Sequence, residues 1–331
     1  MLWDDRTGRA YGAGTQSLEE NIERARTLLA GAERVLIGAG AGLSTAAGLS
    51  YSGERFQRYF APFIRRYGMT DMYSAGFYPF RTPEDKWAYW SQHIWVNRFQ
   101  PGATQLYRDL FTWACERDYF VITTNVDAQF ELAGFDRDRI FATQGDYGFI
   151  QCARGCHERI YPDRELVEAM RKDTGAEDAF LYEGAVHEAN PACLDESTCE
   201  PCDEASAPRA VTMRTRLTDA SLVPKCPVCG GPMEVHLRCD GTFVEDAYWR
   251  AAQERYFDFV EGARSERTVL LELGVGWNTP VWIRYPFEQL AQMAGSPLIR
   301  MNYDDAFIGA HIPHGVSLQG DIAQIWPLIC E

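Results

Sequence analysis

Three times in this chain a short apolar run ends in small or polar residues, twice with a stretch of helical pattern just beyond. Val35-Leu36-Ile37 runs into Gly38-Ala39-Gly40-Ala41-Gly42 and then the helix-compatible Ser44-Thr45-Ala46-Ala47. Tyr119–Thr123 leads into Thr124-Asn125-Val126-Asp127, with a helix-like stretch over Asp127–Leu132. Arg139–Ala142 leads into Thr143-Gln144-Gly145-Asp146. Two more aliphatic runs, Val269–Leu273 and Pro297–Met301, flank a helical pattern at Phe287–Met293. Parallel strands need long crossovers, which are usually helices, so this order predicts a parallel sheet. The expected class is α/β: a Rossmann-like parallel sheet with helices on both faces. Ahead of the first strand, Ser17 with Glu20 is a capping-box signature. Leu18, Ile22, Ala25, Leu28 and Leu29 then recur at helical spacing until Gly31.

The balance of 32 basic against 47 acidic residues gives a net charge of −15 over 331 residues. That argues against nucleic acid as a partner while leaving room for one local phosphate pocket. No apolar run approaches the roughly 18–20 residues of a membrane span. The opening MLWDDRTGRAYGAG lacks a signal-peptide layout. A soluble, cytoplasmic protein is expected, and in that reducing setting paired cysteines bind metal more often than they bridge. The pairs are Cys152/Cys156, Cys199/Cys202 and Cys226/Cys229. Cys115 and Cys330 are expected to be buried small hydrophobes.

The organisation expected is a dinucleotide-binding domain from 17–50, 101–150 and 240–331, with two other regions. Residues 51–100, dense in aromatics, read as a helical, lid-like segment whose rings are mostly core. Residues 151–239 read as a zinc-binding module carrying an acidic insert. Within it, 157–225 holds 15 acidic against 8 basic residues and shows no clear period.

On residue chemistry alone the glycine run 38–42 either cradles a pyrophosphate or makes a ligand-free turn. Asn125 and Asp127 either face a ligand at the strand end or cap the next helix. The order of motifs goes further. Gly40-Ala41-Gly42-Leu43-Ser44-Thr45-Ala46-Ala47-Gly48-Leu49 resembles the sirtuin signature G-A-G-I-S-x-x-x-G-I. Thr123-Thr124-Asn125-Val126-Asp127 resembles the sirtuin T-Q-N-I-D. Ala133-Gly134, Gln144-Gly145 and Cys152 resemble the family's A-G, H-G and C in order, and Gly274-Val275-Gly276 stands where sirtuins carry G-T-S. Asn302 resembles their adenosine-side asparagine.

Two departures point to a branch. Sirtuins continue G-I-P-D-F-R, whereas this chain continues Gly48-Leu49-Ser50-Tyr51-Ser52-Gly53-Glu54-Arg55-Phe56. Gln144 stands where deacylases carry a catalytic histidine. Both features, with T-Q-G-D-Y-G at 143–148, resemble the macrodomain-linked class M sirtuins. That resemblance implies NAD-dependent mono-ADP-ribosylation of a protein acceptor, a lipoylated glycine-cleavage-H-like carrier, with a macrodomain protein as a further partner. The chemistry agrees: deacylation needs a base near neutral pH, and a glutamine amide cannot take a proton. Losing a general base costs on the order of 10²–10⁴ in rate. The alternatives are a lysine deacylase that tolerates glutamine, an NAD hydrolase, and a non-catalytic NAD-binding protein.

The resemblance assigns Gly40, Ala41, Gly42, Ser44, Thr124, Gly274, Val275, Gly276, Asn302 and Asp321 to the dinucleotide. Asn125 and Asp127 orient nicotinamide and its ribose, Gln144 contacts the ribose hydroxyls, and Asp146 is the candidate to activate an acceptor. Tyr51, Arg55 and Phe56 replace the missing P-D-F-R contacts, although an exposed arginine on a mobile loop and a satisfied turn at Asp146 remain the plain alternatives. A structural zinc is implied at Cys152, Cys156, Cys226 and Cys229, with 69 residues between the pairs. Cys193 with Cys199 and Cys202 forms a rival set, which His157, His187 or Cys239 would complete as a second site.

Overall fold

The computed structural model describes residues 2–4, 9–11, 17–176, 217–262, 268–312 and 314–330. β1 (Leu2–Asp4) and β2 (Arg9–Tyr11) pair antiparallel. α1 (Leu18–Ala30) opens with the expected capping box: the Ser17 hydroxyl accepts from the Glu20 amide at 3.2 Å, and the Glu20 carboxylate accepts from the Ser17 amide at 2.9 Å. β3 (Arg34–Ala39) and the short α2 (Ala41–Ala46) follow. Next come α3 (Gly53–Tyr67), α4 (Met72–Gly76), α5 (Pro83–Ile94) and a π-helical turn at Trp95–Phe99. α6 (Gln105–Ala114), β4 (Asp118–Thr123), α7 (Gln129–Ala133) and β5 (Ile140–Ala142) lead into β6 (Gly145–Cys152) and β7 (Ile160–Pro162). The remainder is α8 (Arg164–Thr174), β8 (Met233–Leu237), α9 (Ala247–Gly262), β9 (Thr268–Leu273), α10 (Arg284–Ala294), β10 (Leu298–Asn302), β11 (Gly315–Gln319) and α11 (Ile322–Cys330).

The chain divides into two compact units, one of Met1–Tyr51, Val96–Asp163 and Lys225–Glu331, the other of Ser52–Trp95 and Arg164–Pro224. In the first, six strands form a parallel sheet ordered β11-β10-β9-β3-β4-β5. The strand order turns around at β3 and β9, which makes their carboxyl ends the switch point where open α/β sheets bind ligands. Side chains in register share a face. Leu36, Phe120, Ile122, Leu270 and Leu298 therefore meet Trp249 and Tyr256 of α9 and Phe287 of α10. Ile37, Val121, Leu271 and Ile299 face the other way, onto Leu29, Leu110 and Trp326 of α1, α6 and α11. Gly38 is glycine for a packing reason: a Cβ there would lie 2.4 Å from Ile283 Cγ2.

A second, antiparallel sheet ordered β7-β6-β8 belongs to this unit. Sequence pattern did not mark it, because β6 carries Gly145 and Gly148 and finds β8 some 85 residues away. The other unit holds α3, α4, α5 and α8. Phe60 sits among Phe56, Phe63 and Tyr89, with ring centroids 5.3, 6.1 and 5.4 Å away. Arg171 of α8 is buried, donating to Gln92 Oε1 of α5 at 3.2 Å and stacking 4.4 Å from the Trp95 ring. Cys115 and Cys330 correct an expectation, since both are exposed. Cys115 follows the last turn of α6, where its Sγ donates to Thr112 O at 3.3 Å, while burial of the Cys330 thiol itself pushes its pKa up to about 12. No described helix is long and apolar enough to cross a membrane.

Candidate active site and four-cysteine cluster

The switch point is built from backbone brought unusually close. Gly40 N donates to Leu273 O at 3.0 Å and Gly42 N to Gly274 O at 2.9 Å. A Cβ on Gly40 or Gly42 would fall 2.8 Å from Gly274 backbone atoms. Gly274 itself has φ +61, and a Cβ there would lie 2.3 Å from Leu43 N. Any side chain would force the two turns apart. The glycines let the turn after β3 pack directly against the turn after β9 at the carboxyl ends of the two strands.

Beside it, the carboxyl end of β4 presents a buried polar cluster. Thr123 Oγ1 donates to Ala39 O and accepts from Asn125 N, both at 3.0 Å, which turns the chain so that the Asn125 side chain points across the β3 end. Asn125 Nδ2 then lies 3.1 Å from each of Gly40 O, Ser44 Oγ and Tyr107 OH. Ser44 Oγ donates to Asp127 Oδ2 at 2.6 Å, and Asp127 Oδ1 accepts from Gln129 N at 3.1 Å. Asp127 thus ties the first amide of α7 to the polar cluster, while the N-cap position itself is Ala128. Burial pushes its carboxyl above the usual range, and the Ser44 hydrogen bond only partly offsets this. Ala128 follows with φ +54, the one described non-glycine residue in the left-handed region. Such strain persists only where the surroundings enforce it. Tyr107 was not anticipated from sequence. Its hydroxyl lies 2.8 Å from Ser44 Oγ, and burial, followed by the charge of Asp127, raises its pKa well above the ordinary value. It is a neutral phenol that can both donate and accept.

Gln144 is buried, with Nε2 donating to Thr143 Oγ1 at 3.2 Å and its backbone carbonyl accepting from Arg238 N at 2.9 Å. Asp146 faces Arg98: Nε to Oδ1 is 2.7 Å, Nη2 to Oδ2 is 3.2 Å, and Gly148 N also donates to Oδ1 at 2.6 Å. Thr123, Asn125, Asp127, Glu131 and Asp146 line one cavity. Tyr51 OH donates to Tyr147 OH at 3.3 Å. Asn302 Nδ2 donates to Val275 O at 2.9 Å, joining the ends of β9 and β10. Asp321 caps α11, accepting from Ala323 N at 2.9 Å. Thr124 N donates to Ala39 O at 3.0 Å. Arg55 and Phe56 open α3 in the other unit; Phe56 is buried, and Arg55 Nη1 lies 3.8 Å from Met72 Sδ.

Asp163 is 1% exposed, and neither carboxylate oxygen has a hydrogen-bond partner among the described residues. Burial, then the charge of Asp146, pushes it up to about 8, against the pull of Arg98. A carboxyl that holds its proton more tightly folded than unfolded costs stability as pH rises through that window, by up to about 1.4 kcal/mol per pH unit. Asp163→Asn is therefore expected to melt close to the parent near about pH 4 and increasingly above it toward about pH 8. Thermal melts across that range check this; a difference that stays constant with pH contradicts it.

The four cysteines meet because β6 and β8 pair with Cys152 opposite Met233. Cys226 N donates to Gly231 O at 2.8 Å and Gly230 N to Cys226 O at 2.9 Å, closing the knuckle, with Gly230 at φ +67. Cys152 and Cys229 Sγ are 3.7 Å apart, Cys156 and Cys226 Sγ are 3.6 Å apart, and all four lie within 4.8 Å of one another. Sulfurs around a zinc at about 2.3 Å sit about 3.8 Å apart, whereas a disulfide requires about 2.05 Å. The donor set fits a closed tetrahedral zinc with no open position. His157 Nε2 lies 3.6 Å from Cys226 Sγ and 3.1 Å from Tyr161 OH. Cys193, Cys199, Cys202 and His187 lie outside the described residues.

No family model matches the chain. Among solved structures, Sir2Af2 bound to a myristoylated histone peptide matches at TM-score 0.50 and 16% identity, covering 94% of this chain and 95% of that one. A Sir2 homologue–NAD complex matches at TM-score 0.50 and 12% identity, with 97% and 95% covered. A serine-to-alanine mutant of a Sir2 homologue with ADP-ribose matches at TM-score 0.51 and 15% identity, with 93% and 94% covered. The fold is that of the Sir2 proteins. A protein ADP-ribosyltransferase of Staphylococcus aureus (strain Mu50 / ATCC 700699) is 30% identical over 286 residues, 85% of this chain and 78% of that protein. The chain belongs to the family of that protein. A probable bifunctional ADP-ribose hydrolase/ADP-ribosyltransferase of Fusarium oxysporum f. sp. cubense is 30% identical over 336 residues. That match takes in 94% of this chain and 48% of the fungal protein, so the chain spans about half that relative's length.

Proposed function

We propose that this chain transfers ADP-ribose from NAD⁺ to a protein acceptor and releases nicotinamide. The observation that carries this is its 30% identity to the staphylococcal ADP-ribosyltransferase over 286 residues. NAD⁺ supplies an ADP-ribosyl group attached to a good leaving group. In this reading Gly40, Ala41, Gly42 and the Gly274-Val275-Gly276 turn contact its pyrophosphate, with Asn302 toward the adenosine. Asn125, held by Ser44 and Tyr107, and Asp127 orient nicotinamide and its ribose. Tyr51, Thr124 and Asp321 complete the dinucleotide contacts in this reading. Gln144 steers a ribose hydroxyl by hydrogen bonding without taking its proton, which disfavours deacylation and leaves the ribose carbon to an outside nucleophile. Asp146, once freed from Arg98, is the group to activate that nucleophile. The four cysteines hold zinc for structure alone.

The macrodomain-linked branch is the finer reading, supported by Gln144 and by the Ser50–Phe56 departure. Its acceptor would be a lipoylated carrier domain. The fungal relative, described as pairing an ADP-ribose hydrolase with a transferase, supports a partner that removes the same group.

The test is nicotinamide release from NAD⁺ by the protein alone, with an acyl-lysine peptide, and with a lipoylated carrier domain, each followed by intact-mass measurement. The expected result is one ADP-ribose added to the carrier and little peptide deacylated. Deacylation without any mass gain would return the chain to the deacylases.

A further inference from the structure

Glu272 is a carboxylate in the middle of the main sheet, in register with Gly38 on β3 and Arg300 on β10, and fully buried. A charge in such a place persists only when it is paired and hydrogen-bonded. Arg300 Nη2 donates to Glu272 Oε2 and to Glu288 Oε1, both at 2.8 Å. Arg284, also buried, donates from Nε to Glu272 Oε1 at 3.3 Å. That anchor leaves the rest of its fork pointing at the strand ends. Nη2 donates to Val275 O at 3.2 Å and Asp305 O at 2.9 Å, and Nη1 to Asp305 Oδ2 at 3.1 Å. Asp305 Oδ2 also accepts from Trp277 Nε1 at 2.9 Å, and the guanidinium lies 4.5 Å from the Trp277 ring. One side chain therefore clamps the turn after β9 to the turn after β10.

We propose that Arg284 is a positioning residue for NAD⁺: anchored on Glu272, it holds the Gly274–Trp277 turn and the Asn302–Phe307 turn in the shape that admits the pyrophosphate and adenosine. The inference rests on the NAD⁺ reading above. A turn already held in its bound shape spares the ligand the cost of ordering it, so the effect falls on affinity rather than on bond breaking. Lysine keeps the charge but is a single point that cannot reach both turns and Glu272 together.

The experiment compares the parent with Arg284→Lys and Asp305→Asn by calorimetric titration with ADP-ribose and by steady-state nicotinamide release. Arg284→Lys is expected to bind ADP-ribose about tenfold more weakly and to raise KM for NAD⁺ similarly, with kcat within about twofold. Asp305→Asn, at a partly exposed position that loses one arm of the clamp, is expected to show a smaller shift in the same direction and carries the test if Arg284→Lys does not fold. A folded Arg284→Lys, or failing that Asp305→Asn, with parental ADP-ribose affinity and KM but a lowered melting temperature overturns the proposal, because Arg284 would then be structural only. A parent that binds no ADP-ribose overturns the NAD⁺ reading together with this one, so the two failures are distinguishable.

Discussion

Asn125→Ala is expected to slow nicotinamide release by about 10²–10³-fold, the cost of removing one preorganised polar group from a buried reaction centre. The reason lies in how little freedom that side chain has. Its amide sits 3.1 Å from a backbone carbonyl, a serine and a tyrosine hydroxyl, so it is aimed before any ligand arrives. Truncation leaves Ser44 and Tyr107 paired with each other at 2.8 Å, which limits the damage to the fold. Loss of a buried hydrogen-bonding partner costs about 1–3 kcal/mol, and in a chain of this size each kcal/mol moves the melting temperature by only about 2–4 °C. Activity should therefore collapse in a protein that still folds. A variant that keeps a third of the parental rate would remove Asn125 from the chemistry.

Cys226→Ser, or a strong chelator on the parent, is expected to lower the melting temperature by about 10 °C or more and to abolish one zinc per chain. Apparent binding energies of structural zinc run to about 10–16 kcal/mol in small fingers, and binding energy at such a site is folding energy. Here it closes a knuckle whose β8 strand pairs with β6, and β6 begins at Gly145, directly after Gln144. Loss of metal should accordingly reduce activity by loosening Gln144 and Asp146 while the main parallel sheet keeps its pairing. Zinc analysis, melting and nicotinamide release on the same preparations test this. A zinc-free variant that melts within about 2 °C of the parent would refute it.

How much of this could be read from sequence follows from which interactions are local. The capping box at Ser17 and Glu20, the apolar runs of β3, β4, β9 and β10, and the cysteine pairs all lie within a few residues of themselves. Their spacing carries their structure. So do the small and polar residues at the strand ends, because a parallel strand must hand over to a turn at its carboxyl end. Gln144 could be singled out because it stands where a recognisable motif has another residue. What lay beyond reach was every partner delivered by a crossover. Tyr107 belongs to α6 and reads as core, yet the β3–β4 pairing sets its hydroxyl against Ser44 and Asn125. Gly274 was marked by its motif alone; only the β3–β9 register shows that Leu43 and Gly42 exclude any side chain there. Glu272 meets Arg284 and Arg300 only because later elements deliver them, and Arg98 reaches Asp146 across 48 residues. Local pattern determined which elements form and which residues stand at their ends. Tertiary structure decided which of those residues meet, because contacts between crossover-linked strands leave no period in the chain.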